Sequence, residues 1–212
     1  MSVKPIFFAL DGKHLDNFSR ELEILKGNIY GVKVGLEMFT SEGPSSVEKL
    51  KKDGWTVFLD LKLHDIPNTV QAAAISAGNI GADYLTIHIA SGKETLLAAK
   101  ESKPENLKLL GVSTALTSKA YSPQISQRVY EEFLLAKESK IDGVICPPSE
   151  LFKTKELFDL IVTPGIRLKN DDSHDQKNIT TPEKAIRDGA SYLVMGRSIR
   201  QNINYVVEKL KL

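Results

Sequence analysis

Residues 56–88, Thr56-Val-Phe-Leu-Asp60-Leu-Lys62-Leu-His-Asp65-Ile-Pro67-Asn-Thr-Val-Gln-Ala-Ala-Ala-Ile-Ser-Ala-Gly-Asn-Ile80-Gly81-Ala-Asp-Tyr84-Leu-Thr-Ile-His88, decide the fold. Thr56–Leu61 and Tyr84–His88 are short apolar runs of the kind that form buried parallel strands. Between them Pro67–Ile80 carries apolar residues at helical spacing. Pro67 suits a first helical turn, where no amide partner is needed, and Asn68 is a nearby candidate cap. Gly81 stands where a left-handed residue would stop that helix. Strand, helix and strand in this order make a βαβ unit, which requires a parallel sheet.

The same unit recurs along the chain. Further strands are expected at Ile6–Leu10, Gly31–Gly35, Leu109–Thr114, Gly143–Cys146, Leu160–Thr163 and Tyr192–Gly196. Further helices are expected at Leu15–Lys26, Pro44–Asp53, Lys93–Ser102, Ile125–Ser139, Ser149–Phe152, Pro182–Asp188 and Ile199–Lys211. Gly54 and Gly189 repeat the stop signal, and Thr181 is a candidate cap before Pro182. About eight βα units in 212 residues predict a (β/α)₈ TIM barrel, a single domain over residues 1–212, because that architecture begins near ~200 residues. An open doubly wound sheet is the alternative, and eight repeats favour closure. No composition shift marks a linker. The longest polar stretch, Arg167–Thr181, follows the seventh strand, on the face where barrel active sites lie.

Composition removes several functions. With 28 Lys and Arg against 27 Asp and Glu the net charge is +1, so no bulk field draws nucleic acid or anionic membrane. A single cysteine, Cys146, excludes an internal disulfide and fits a reducing compartment. No apolar run approaches the ~20 residues that span a bilayer, and Met1–Leu10 lacks the pattern of a secretory leader. The expected setting is cytoplasmic.

Chemistry concentrates in Asp60-Leu-Lys62-Leu-His-Asp65. Alternation along a strand points Asp60 and Lys62 the same way. Charges in an apolar strand must be paired to be buried, and the carboxyl end of a barrel strand is the catalytic end. A lysine among carboxylates keeps its proton. That disfavours a Schiff base, which needs a depressed lysine pKa. It suits an ammonium that stabilises a developing carbanion and then protonates it. A buried ion network with only a structural role is the competing account. A divalent metal between Asp60 and Asp65 would compete with the ammonium.

Asp60-x-Lys62-x-x-Asp65 with His64-Asp65-Ile66-Pro67-Asn68-Thr69 resembles the orotidine 5′-phosphate decarboxylase family, and the resemblance runs from Ala9-Leu10-Asp11 to Gly196-Arg197-Ser198. It implies a (β/α)₈ barrel that converts orotidine 5′-phosphate to UMP without metal or organic cofactor, acting as a homodimer with shared active sites. Lys62 would protonate C6 of the pyrimidine, Asp60 would lie beside the departing carboxylate, and Asp65 would come from the partner subunit to hold Lys62. Lys33, a lysine inside a short apolar strand, would join this network. Asp11 and Thr69 would contact substrate, and Thr117 would meet the pyrimidine edge. Arg167, Gln176, Gly196 and Arg197 would take the phosphate, consistent with the frequent phosphate site after strands seven and eight of barrels. From the residues alone, Asp11 before Gly12 also reads as a turn residue, and Thr117 as a cap or turn.

Two other functions compete. Magnesium-dependent sugar-phosphate decarboxylases and synthases share the bare motif, but carry a glutamate where this chain has Lys33. A non-catalytic barrel that binds a phosphate ligand would have no use for a caged proton donor. His88, at the end of the fourth strand, is expected to be structural, and Cys146 a small buried residue. The loop His88–Lys93, Pro147-Pro148 and Ser198 depart from the family pattern without touching the charged cluster.

Overall fold

The computed structural model describes residues 3–114, 122–168 and 180–212. Eight strands close a parallel barrel in sequence order. They are β1 (Lys4–Leu10), β2 (Ile29–Gly35), β3 (Thr56–Leu63), β4 (Tyr84–His88), β5 (Lys108–Val112), β6 (Gly143–Ile145), β7 (Ile161–Thr163) and β8 (Tyr192–Met195). The helices between them are α1 (Ser19–Leu25), α2 (Leu36–Glu42), α3 (Pro44–Lys52), α4 (Pro67–Asn79), α5 (Lys93–Ser102), α6 (Pro123–Glu138), α7 (Leu151–Thr154) and α8 (Pro182–Asp188), followed by α9 (Arg197–Gln201) and α10 (Ile203–Glu208).

Three differences from expectation have local causes. The first expected helix begins as a 3₁₀ turn, Leu15–Phe18, before α1. The short α2 fits between Gly35 and Gly43 ahead of the expected α3. The last expected helix is broken at Asn202, whose φ −135° and ψ 36° are not helical. Thr181 does cap α8, accepting from the Lys184 N–H at 3.3 Å. Asn68 does not cap α4, because Ile66 occupies that position and Asn68 lies within the first turn. Gly54, Gly81 and Gly189 have φ of 77°, 95° and 119°, the backbone a side chain resists.

Two apolar regions result from strand alternation. Outward residues such as Leu59, Leu85 and Leu193 pack under the helices. Inward residues Phe7, Phe58, Tyr84, Leu110, Val112, Ile145 and Val162 fill the barrel. Toward the amino ends of the strands, Phe7 sits 5.3–5.4 Å, centroid to centroid, from Tyr30, Phe58, Tyr84 and Tyr192. Tyr30 and Tyr84 share a hydroxyl hydrogen bond of 2.8 Å. These rings floor the barrel.

The same end is tied by a repeated device. A polar residue just ahead of β4, β6 and β8 accepts a backbone N–H from the preceding strand. Asp83 takes Val57, Asp142 takes Leu109, and the Ser191 hydroxyl takes Ile161, at 2.7, 2.8 and 3.0 Å. Stability is thus concentrated at the amino face, leaving the carboxyl face for polar groups.

Candidate active site

Asp11, Lys33, Asp60 and Lys62 form an alternating chain at the carboxyl ends of β1, β2 and β3. Lys33 Nζ lies 3.4 Å from Asp11 Oδ1 and 3.5 Å from Asp60 Oδ2. Lys62 Nζ donates to Asp60 Oδ1 at 2.8 Å. The register explains the convergence: Ala9 is beside Lys33, and Gly35 is beside Asp60.

Lys62 departs from a regular strand. Its φ is 51°, in the left-handed region that non-glycine residues rarely occupy. Around it β3 advances from Leu59 to Leu63 while β4 advances only from Leu85 to Ile87. This bulge holds Asp60, Leu61 and Lys62, and it turns the ammonium back onto Asp60. Simple alternation predicts the meeting of the two side chains but not the backbone that produces it.

Asp60 is largely buried, with 14% of its side chain exposed. Burial alone would raise its pKa. Lys33, Lys62 and the Thr86 hydroxyl outweigh that penalty and hold the carboxyl below the ordinary aspartate value. His88 is also shifted down, but there the shift favours the uncharged form: burial, with His64 and Lys62 nearby, lowers its pKa, so it is neutral at pH 7. The His64 and His88 rings are 5.4 Å apart.

Asp11, Lys33, Asp60, Lys62 and His88 line a cavity of about 340 Å³ together with Gly165, Arg167, Gly196 and Arg197. The volume lies within the ~300–1,000 Å³ usual for small-molecule sites. In the ring order β7 lies across the barrel from β3, so the cavity spans from the charged chain to the arginines. Gly196 comes close to β1; a Cβ there would sit 3.1 Å from Asp11 Oδ2 and 3.4 Å from the Ala9 Cβ. A larger groove of about 720 Å³ runs outside the barrel past Lys26, Lys49 and Trp55. It is lined by residues on and beside α1 and α3 and reaches none of the strand carboxyl ends, so size alone does not identify the site.

The polar stretch after β7 is pinched at its base. The Arg167 N–H donates to Thr180 O at 3.0 Å, and the Thr180 N–H to Gly165 O at 3.2 Å. Gln176 falls between these ends, and Thr117 follows β5; both lie outside the described residues. Asp65 and Thr69 are exposed and line no part of this chain's cavity. The Asp65 carboxylate accepts its neighbour Ile66's N–H at 2.7 Å. Among the described residues, Lys62 Nζ hydrogen-bonds only Asp60.

One residue of the network escaped the sequence reading. Thr86, fully buried on β4, donates to Asp60 Oδ1 at 3.0 Å and accepts the Lys62 backbone N–H at 2.8 Å. Its signal was the spacing Tyr84, Thr86, His88, which puts three polar side chains on one face of an apolar strand.

A closed (β/α)₈ barrel whose strand ends gather alternating lysines and carboxylates, with arginines across the mouth, defines a small-molecule site built for anions. The chain belongs to the orotidine 5′-phosphate decarboxylase / HUMPS family, whose model matches residues 4–210. It is 40% identical over 216 residues to an orotidine 5′-phosphate decarboxylase of Fusobacterium nucleatum, covering 95% of this chain and 91% of that protein. It is 40% identical to the one from Halalkalibacterium halodurans, covering 93% and 92% of the two chains. The crystal structure of orotidine 5′-phosphate decarboxylase from Lactobacillus acidophilus superposes with a TM-score of 0.77 at 33% identity, covering 93% of this chain and 92% of that one.

Proposed function

We propose that this barrel decarboxylates orotidine 5′-phosphate to UMP, the last step of de novo pyrimidine nucleotide synthesis. The observation that carries this reading is the single cavity joining the Lys33–Asp60–Lys62 chain to Arg167 and Arg197. Its substrate has one carboxylate and one phosphate, and the two ends of the cavity suit them separately.

The C6–carboxylate bond breaks, its electron pair stays on C6, and CO₂ departs. Lys62 Nζ stabilises the carbanion and donates a proton to C6, then regains one from water. Asp60, held ionised by its cations, lies beside the leaving carboxylate and keeps Lys62 protonated. Lys33 neutralises Asp60 and Asp11, and Asp11 accepts a ribose hydroxyl. Arg197 and Arg167 bind the phosphate beside Gly196, with Gln176 joining them and Thr117 meeting the pyrimidine edge. Phosphate binding far from C6 contributes to the reacting geometry.

The active form is a homodimer. Asp65 and Ile66, which is 65% exposed, precede α4, and Thr69 is exposed in its first turn; Leu36, at the start of α2, is 56% exposed. An exposed carboxylate next to an exposed apolar side chain, Ile66, suits a contact that carries Asp65 to Lys62 of the second subunit, where Leu36 lies beside Lys62 in a small surface pocket. The expected location is cytoplasmic; among the described residues no helix is long and apolar enough to cross a membrane.

Lys33 argues against a magnesium-dependent reaction, since it puts a cation 3.5 Å from Asp60, at the position where the magnesium-dependent enzymes carry a glutamate. The deciding experiment incubates metal-free protein with orotidine 5′-phosphate and follows UMP. Stoichiometric UMP is expected. Failure to form it, or an absolute need for added magnesium, would reject the assignment.

A further inference from the structure

We infer that Thr86 is the positioning residue that sets both the direction of the Lys62 ammonium and the orientation of the Asp60 carboxylate. The inference rests on the decarboxylase reading for its kinetic consequences and on the described geometry for its structural ones.

The bulge between Leu59 and Leu63 interrupts the ladder to β4. The Lys62 N–H therefore lacks a regular strand partner, and a buried N–H without an acceptor is costly. The Thr86 hydroxyl supplies that acceptor at 2.8 Å. A hydroxyl has one hydrogen and two lone pairs. With a lone pair committed to Lys62, its hydrogen goes to Asp60 Oδ1 at 3.0 Å. Lys62 Nζ returns to the same oxygen at 2.8 Å.

A closed ring results, running from the Lys62 backbone through Thr86 to Asp60 and back through the Lys62 side chain. It offsets the left-handed backbone at Lys62, a conformation unfavourable for any residue but glycine. Lys33 meets Asp60 from β2 on the other oxygen, Asp11 lies beyond Lys33 just past β1, and His88 faces Lys62 from β4. None of these three can replace the hydroxyl, because none touches the Lys62 backbone. Thr86 lines no part of the cavity, so it acts through Asp60 and Lys62.

Thr86→Val keeps the shape and removes both hydrogen bonds; Thr86→Ser keeps them. The test compares these with wild type in kcat, KM and the pH titration of the Asp60 carboxyl carbon by NMR. In Thr86→Val, kcat is expected to fall roughly 10- to 100-fold, the scale of losing hydrogen bonds to charged groups. KM is expected to hold within about threefold, since no phosphate contact changes. The Asp60 titration moves to higher pH, and Thr86→Ser restores both readouts. A Thr86→Val protein that melts earlier but keeps wild-type kcat and an unmoved Asp60 titration would overturn the inference, as would a Ser variant no better than Val. Wild-type protein that forms no UMP would reject the decarboxylase reading alone, because the Asp60 titration still reports on Thr86.

Discussion

Replacing Lys33 by Met tests how Asp60 stays ionised. Lys33 Nζ lies 3.5 Å from Asp60 Oδ2, in surroundings where the two side chains are 11% and 14% exposed. At an effective dielectric of ~20 two unit charges at that distance attract by about 5 kcal/mol. At ~1.36 kcal/mol per unit this bounds the effect at between three and four pKa units. Water entering the vacated space returns part of it, so the expected rise in the Asp60 pKa is roughly 1–3 units, the range for one opposite charge at this distance. The sign follows from the folded protein. The carboxyl of Asp60 is held below its ordinary value, so the stabilisation is present above the unfolded pKa and lost as pH falls through the folded one. In Lys33→Met this loss begins at higher pH. The assay is the pH titration of the Asp60 carboxyl carbon, with the acid limb of the UMP-forming rate beside it. An Asp60 titration within ~0.3 units of wild type would refute the electrostatic account of this site.

Lys62→Ala should lower the rate of UMP formation by at least ~10²–10⁴-fold, the contribution of a positioned general acid, and Asp65→Ala should lose activity similarly. Mixing the two variants should restore activity through hybrid dimers, and no recovery after verified chain exchange would reject the shared-site arrangement. Arg197→Ala should raise KM for orotidine 5′-phosphate about 10- to 100-fold, on the scale of lost charge-assisted contacts; an unchanged KM would remove Arg197 from the phosphate site. Cys146 should resist disulfide-exchange reagents at pH 8 in the folded protein, because it is buried and burial pushes its thiol up to about 12. Rapid labelling without unfolding would contradict that environment.

The barrel was legible because each βα unit carries local signals. Tyr84–His88 and Pro182–Asp188 match the structure at both ends, one bounded by an apolar run and the other by proline and glycine. Boundaries blurred where tertiary context decides. Asn202 looks helical in sequence, yet it divides α9 from α10. Asn68 looks like a cap, yet the extended residue ahead of α4 is Ile66, two positions earlier, while the helix opens at Pro67 as expected. The charged chain was legible as residue types, since Lys33, Asp60 and Lys62 interrupt apolar strands. Thr86 was less so, because a threonine in a strand is ordinary until the neighbouring strand is known. The left-handed Lys62 was invisible, since nothing in Asp-Leu-Lys signals a bulge that depends on β4.

The aromatic floor beneath the cavity makes the barrel a cul-de-sac. Phe7 and Tyr84 are 0% and 1% exposed, so among the described residues these rings close the amino end. Everything that enters above Lys62 must turn around and leave by the mouth. In the proposed reaction, gas formed at the bottom of such a vessel exits past the nucleotide that produced it, and the nucleotide exits past Arg167 and Arg197, its proposed phosphate partners. The order of departure is therefore built into the plugging of the far end: the small neutral product can slip out first, and the anchored anion is the last to go.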